Sequence, residues 1–210
     1  MRKKKTPKEN KLTPEQLLQQ QAMEEKISDY TAKGYTVKTK AISMTKANLY
    51  ALVTGGPLAL ILFIVYIAKW RSGSLGFSEL LVFIVGMLAL LVLHELVHGA
   101  TWASFSKNKW KSIRFGIMAE MLTPYCHCME PLTLNQYIIG ALMPLIVTGL
   151  IPYIISYFIG SYVMMVISMV MIMGAGGDIS AILMIFREKN VALLLDHPTL
   201  CGCVIFKKPD

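Results

Sequence analysis

The stretch from Leu90 to Ala100 reads LLVLHELVHGA and sets three titratable groups, His94, Glu95 and His98, in an otherwise apolar run. Two histidines four residues apart project from one face of a helix, a turn from each other, so both rings can reach one metal ion. Glu95 lies beside that face. From there its carboxylate can take a proton from water that the ion has made acidic, which is the logic of metal-assisted hydrolysis. Each of the three groups costs on the order of a few kcal/mol inside a membrane helix, and a shared ion is the compensation that suits these residue types.

A hydrolytic zinc site takes three protein ligands and keeps a fourth position open. The longer version of the motif, with a third histidine on the same segment, does not apply, because Thr101 and Ser104 stand where it carries glycine and histidine. The third ligand must therefore come from elsewhere. Asp178, in Gly174-Ala175-Gly176-Gly177-Asp178, is the first candidate, as the one carboxylate inside the last apolar segment. His94 follows Phe77, and Asp178 follows Ser161, by the same number of residues, roughly 25 Å at helical rise, so the two come level. The glycines beside Asp178 allow close helix approach or a break that admits water. Glu120, Glu130 and the pair Asp196 and His197 are the alternatives. His127, within Tyr125-Cys126-His127-Cys128, could donate to an oxyanion, orient substrate or bind metal.

The elements that must hold these groups follow from composition. Apolar residues make up 54% of the chain and charged residues 16%, which points to lipid. Leu49 to Ala68, Phe77 to Ala103, Tyr137 to Tyr157 and Tyr162 to Phe186 are each long enough to cross a hydrocarbon core of about 30 Å. The first begins too far along the chain, and runs too long, for a cleaved signal peptide, and reads as a permanent anchor. The net charge of +8 does not imply nucleic acid, because the basic residues flank the spans. Arg2, Lys3, Lys4, Lys5, Lys8 and Lys11 precede the first, Lys107, Lys109, Lys111 and Arg114 follow the second, and Arg187, Lys189, Lys207 and Lys208 follow the fourth. The positive-inside rule then puts both termini and the loop 106–135 in the cytoplasm of a multi-pass protein of the cell membrane, against a smaller opposing signal from Lys69 and Arg71.

The polar segments are short. Residues 1–11 are a solvated basic tail that can touch anionic lipid. Leu12-Thr13-Pro14-Glu15-Gln16-Leu17 carries a helix start, with Thr13 as N-cap, Gln16 closing a capping box and Leu12 with Leu17 as a staple, and the helix is expected to reach about Tyr30. Beyond Gly34, residues 35–41 alternate as a strand does, and residues 112–125 predict a small hairpin. Cys126 with Cys128 and Cys201 with Cys203 fall on the cytoplasmic side, so disulfides are not expected. They read as small apolar residues, with a second zinc site as the alternative. The many methionines of the last segment read as adaptable packing. The fold class expected is an all-α membrane protein: four transmembrane helices, a short N-terminal surface helix and a small cytoplasmic β-hairpin. Residues 1–47 form the tail and surface helix, 48–186 the membrane domain and 187–210 a cytoplasmic C-terminal segment.

His94-Glu95-Leu96-Val97-His98-Gly99, Pro124-Tyr125-Cys126-His127-Cys128, Pro144, Gly177-Asp178 and Asp196-His197-Pro198 together resemble the putative zincin peptidases, small bacterial membrane proteins, over about Leu90 to Gly202. The chain is similar more distantly to the site-2 class of intramembrane metalloproteases. The resemblance implies zinc on His94 and His98, Glu95 as general base, and Asp178 in the place of the aspartate that site-2 proteases supply from a later span. Those enzymes end that motif Leu-Asp-Gly, whereas here the aspartate follows Gly-Gly and precedes Ile179. The function expected is a zinc peptidase that cuts a membrane protein or peptide near the cytoplasmic side of the bilayer, its hairpin holding the unwound substrate as an added strand. A non-catalytic metal-binding or transport protein with the same ligands is the alternative, and iron or cobalt could replace zinc.

Overall fold

A computed structural model describes residues 13–71, 73, 76–118 and 123–208. Four helices are long and apolar enough to cross a membrane. The first is α2 (Met44–Trp70) and the second α3 (Phe77–Phe105). The third runs through α4 (Leu134–Pro144), one π-helical turn (Leu145–Leu150) and α5 (Ile151–Ile159), and the fourth is α6 (Tyr162–Gly174) followed by α7 (Gly176–Ile185). The third begins earlier than the apolar run does, because Thr133 starts it: the Thr133 N–H donates to Gln136 Oε1 at 2.9 Å, which closes a capping box. Exposed Leu, Ile, Val and Phe cover the outward faces of these helices, as a hydrocarbon solvent allows.

α1, the strands and most of the charged residues gather at one end of the bundle, where α2 and α4 begin and α3 and α7 end. The opposite end has only the short connections around residues 71–76 and 160–161. α1 (Pro14–Ala32) starts as expected, with Thr13 Oγ1 accepting from the Gln16 N–H at 3.2 Å and Gln16 Oε1 accepting from the Thr13 N–H at 3.0 Å. Leu12 and the basic tail lie outside the described residues. β1 (Thr36–Ile42) and the hairpin of β2 (Ile113–Met118) and β3 (Thr123–Cys128) also form where the alternation put them.

The expected all-α class needs correction at the C-terminus. β4 (Val191–Asp196) and β5 (Cys201–Lys207) make a second hairpin, and β1 joins it antiparallel in the order β1-β5-β4. Both faces of this sheet are covered. Leu194, Cys203 and Ile205 pack on Trp102, Tyr137 and Ile185 of the bundle, while Leu195, Val204 and Phe206 pack under Met23, Ile27 and Tyr30 of α1. A strand buried on both faces is a continuous apolar run without alternation, which is why Cys201 to Phe206 gave no period-two signal. Glu188 then ties the sheet to the end of the bundle, with Lys38 Nζ at 2.6 Å, Lys207 Nζ at 2.8 Å and Lys40 Nζ at 3.3 Å. Lys207 first and Lys38 next hold its carboxyl down at about 2.

Candidate metal centre

On α3, His94, His98 and Trp102 fall on one buried face, while Val92, Leu93 and Leu96 are exposed. The four-residue spacing does this directly, since one face of the helix meets α4, α6 and β3. Across from it, His94 Nε2 lies 3.4 Å from Asp178 Oδ2 and His98 Nε2 lies 3.4 Å from Asp178 Oδ1. One ligand atom from each of the three residues falls within 4.8 Å of the others, and among the described residues this is the group that could hold a metal.

The donor set fits a divalent ion on two counts. His98 Nδ1 donates to Gly140 O at 2.9 Å. Thr148 Oγ1 gives its own proton to Pro144 O at 2.8 Å and so accepts from His94 Nδ1 at 3.3 Å. With both Nδ1 atoms donating, each imidazole in its neutral form presents an Nε2 lone pair toward the Asp178 carboxylate. In that form a cation between them satisfies all three groups. Ligands about 2.0–2.1 Å from a tetrahedral zinc ion stand roughly 3.3–3.4 Å apart; each Nε2 lies at that distance from its nearer Asp178 oxygen, and the trio as a whole is somewhat wider, within 4.8 Å.

The third apolar segment sets both imidazoles. Pro144 interrupts its ladder, and the π-helical turn that follows aims Thr148 at His94. Gly140 permits the close approach that puts its carbonyl on His98, since a methyl group there would run into the Trp102 indole. Trp102 in turn stacks on His98, ring centroids 5.0 Å apart, and on Tyr137 at 5.8 Å. Outer partners of this kind fix the tautomer and the ring plane of a metal ligand. Gly140 carried no sequence signal, because every residue has a carbonyl. Thr148, a hydroxyl inside an apolar segment, did offer one.

The three residues border a cavity of about 180 Å³ that is also lined by Glu95 and Asn48. Glu95 does not join the ligand group. The edge of β3 from Pro124 to His127 lines the cavity beside it. Further along the same edge the Cys128 N–H donates to Asp196 Oδ2 at 3.4 Å. Asp196 Oδ2 also lies 3.0 Å from His127 Nδ1, and Asp196 Oδ1 accepts from Tyr137 Oη at 3.3 Å.

The residues singled out from sequence thus separate into groups. His94, His98 and Asp178 come together with Glu95 beside them. His127, Asp196 and His197 line the same cavity but stand outside the ligand group, with the first two paired to each other. Glu130 is occupied elsewhere, accepting from the Lys107 N–H at 2.7 Å and from Ser112 Oγ at 2.8 Å. Glu120 lies outside the described residues. The four cysteines carry free thiols and belong to no metal-binding group among the described residues. Burial pushes Cys128 up to about 11 and Cys201 and Cys203 up to about 12, which keeps them thiols at neutral pH and suits packing rather than ligation.

Asp196 is therefore expected to behave as a structural acceptor. Asp196→Ala strands the Tyr137 hydroxyl, His127 and the Cys128 N–H, and should cost about 1–3 kcal/mol of stability while zinc affinity stays within about threefold of wild type. Thermal unfolding and zinc titration of the purified variant check both halves, and loss of stoichiometric zinc would move the third ligand to Asp196.

No curated protein and no solved structure matches the chain significantly. The profile of a family described as "Putative zincin peptidase" matches residues 87–193, half of the chain, from within α3 into β4. Those residues include His94, Glu95, His98, the edge of β3 and Asp178. With this match beside the donor set, the chain belongs to the putative zincin peptidase family.

Proposed function

We propose that the protein is a membrane-embedded, zinc-dependent peptidase that hydrolyses a peptide bond near the cytoplasmic side of the bilayer. The observation that carries the reading is the convergence of His94, His98 and Asp178 with Glu95 held at the rim of the same cavity. A divalent ion held by this trio supplies Lewis-acid polarisation of a carbonyl and acidification of water.

The chain's own groups do the rest. Glu95 takes the proton from water and passes it to the amine nitrogen that leaves. The Cys126 backbone lines the cavity beside Glu95. Cys126 and Cys128 direct their N–H groups away from β2, and Pro124, which shares their orientation on β3, has none. An unwound substrate segment laid along this edge would pair chiefly by giving its own N–H groups to the Pro124 and Cys126 carbonyls. Orientation follows from charge: Lys107, Lys109, Lys111, Arg114, Arg187, Lys189 and Lys207 all belong to the end of the bundle that bears the sheets, against Lys69 and Arg71 at the other. The positive-inside rule makes the sheet end cytoplasmic.

The full chain, purified in detergent, is expected to carry one zinc per molecule and to cleave a membrane-segment fusion protein. His94→Ala should lose both the metal and the cleavage. Cleavage that persists in that variant, or a wild-type protein that takes up no stoichiometric metal, rejects the reading.

A further inference from the structure

α2 precedes the residues that match the family and contributes nothing to the ligand trio, yet it grips the chain two residues before Asp178. The fourth apolar segment is broken there: α6 ends at Gly174, Ala175 turns, and α7 begins at Gly176. A helix cut in this way can swing about the break unless something outside it fixes the first turn.

Two contacts from α2 do so. Ala47, Ala51, Gly55 and Ala59 recur every four residues on α2, and α2 packs on α6 and α7. The approach is close enough that a methyl group on Gly176 would run into the Ala51 backbone, and one on Gly55 would lie 2.8 Å from Ile172 O. The second contact is polar. Thr54 Oγ1 stands 2.7 Å from Gly176 O and 3.3 Å from Ser180 Oγ, and Ser180 Oγ stands 2.8 Å from the same carbonyl. Thr54 has one hydroxyl proton, and Tyr50 O, 2.8 Å from Thr54 Oγ1, competes for it; the bond between helices forms when Gly176 O takes that proton and Ser180 Oγ gives its own to Thr54 Oγ1. Every proton in the knot has a place, and the only helix it ties to α7 is α2.

We propose that Thr54 is a positioning residue for Asp178: by holding the Gly176 carbonyl it fixes the first turn of α7, and with it the placement of the Asp178 carboxylate between His94 and His98. A metal site tolerates displacement of a ligand by about half an ångström, so loosening α7 is felt as lost affinity before it is felt as unfolding. The segment ahead of the family's shared residues is in this sense part of the metal centre.

The inference rests on the metal-centre reading, and the experiment separates the two. Zinc affinity is measured on the full chain in detergent by competition with a chromophoric chelator, for wild type, Thr54→Val, Thr54→Ser, the double variant Thr54→Val with Ser180→Ala, and His94→Ala. Thr54→Val should bind about tenfold more weakly and the double variant about a hundredfold, the range of outer-partner losses, while Thr54→Ser stays within about threefold of wild type. In the cobalt-loaded protein the visible ligand-field bands should shift in Thr54→Val and return in Thr54→Ser. Thr54→Ala replaces the valine variant if that one does not fold. Wild-type affinity and spectrum in Thr54→Val overturn the proposal, as does a loss in Thr54→Ser equal to that in valine. A variant that merely melts earlier when stripped of metal, at unchanged zinc affinity, also overturns it, since packing alone produces that. Stoichiometric zinc retained in His94→Ala overturns the metal centre itself and this proposal with it.

Discussion

Glu95→Gln should lower peptide hydrolysis by about 10²–10⁴-fold, the usual contribution of a general base, with zinc still bound at one per chain. Glutamine matches the shape of glutamate and keeps an oxygen acceptor, so the cavity wall stays in place. What disappears is the ability to take a proton. Because Glu95 stands outside the ligand group, metal content measured on the same sample should not change. Zinc lost together with activity would make Glu95 a ligand, and activity retained would put the base elsewhere. The variant also separates a hydrolase from a metal carrier, since a carrier that uses the two histidines and Asp178 keeps its function without a base.

Asp178→Ala should weaken zinc binding by more than about a hundredfold, beyond what loss of an outer partner produces. The carboxylate supplies one oxygen to each histidine, both at 3.4 Å, and Asp196, the other aspartate on the cavity, is engaged by His127, Tyr137 and the Cys128 N–H. Two imidazoles alone hold a divalent ion poorly in a site that expects three protein ligands. Competition titration of Asp178→Ala beside Asp196→Ala decides the assignment. If the alanine at 196 costs the affinity and the alanine at 178 does not, the third ligand belongs to the β4–β5 hairpin.

The grouping of the candidate ligands was legible because each depends on something local. Two histidines and a glutamate within five residues share a helix face whatever surrounds them, by the pitch of the helix alone. Asp178 was placed at their level by counting residues from the ends of two apolar segments, and that works because a bilayer gives every span the same thickness to cross. The surface helix, β1 and the β2–β3 hairpin were legible for the same reason, through a capping box and short alternations.

What only the tertiary structure decided concerns contacts that leave no mark on side-chain type. The Gly140 carbonyl on His98, the Cys128 N–H on Asp196 and the Gly176 carbonyl under Thr54 are backbone groups that any residue could present. Which of them meets a functional side chain depends on how closely two helices or a strand edge approach. The β4–β5 hairpin stayed hidden because it is buried on both faces, so the alternation that betrays a half-exposed strand never arises. The rival carboxylates at 130 and 196 are engaged by other partners. The sequence thus determined which groups can bind a metal and at what depth; only the folded chain decided which of them remain free to do so, because hydrogen-bond partners are set by approach in space and not by spacing along the chain.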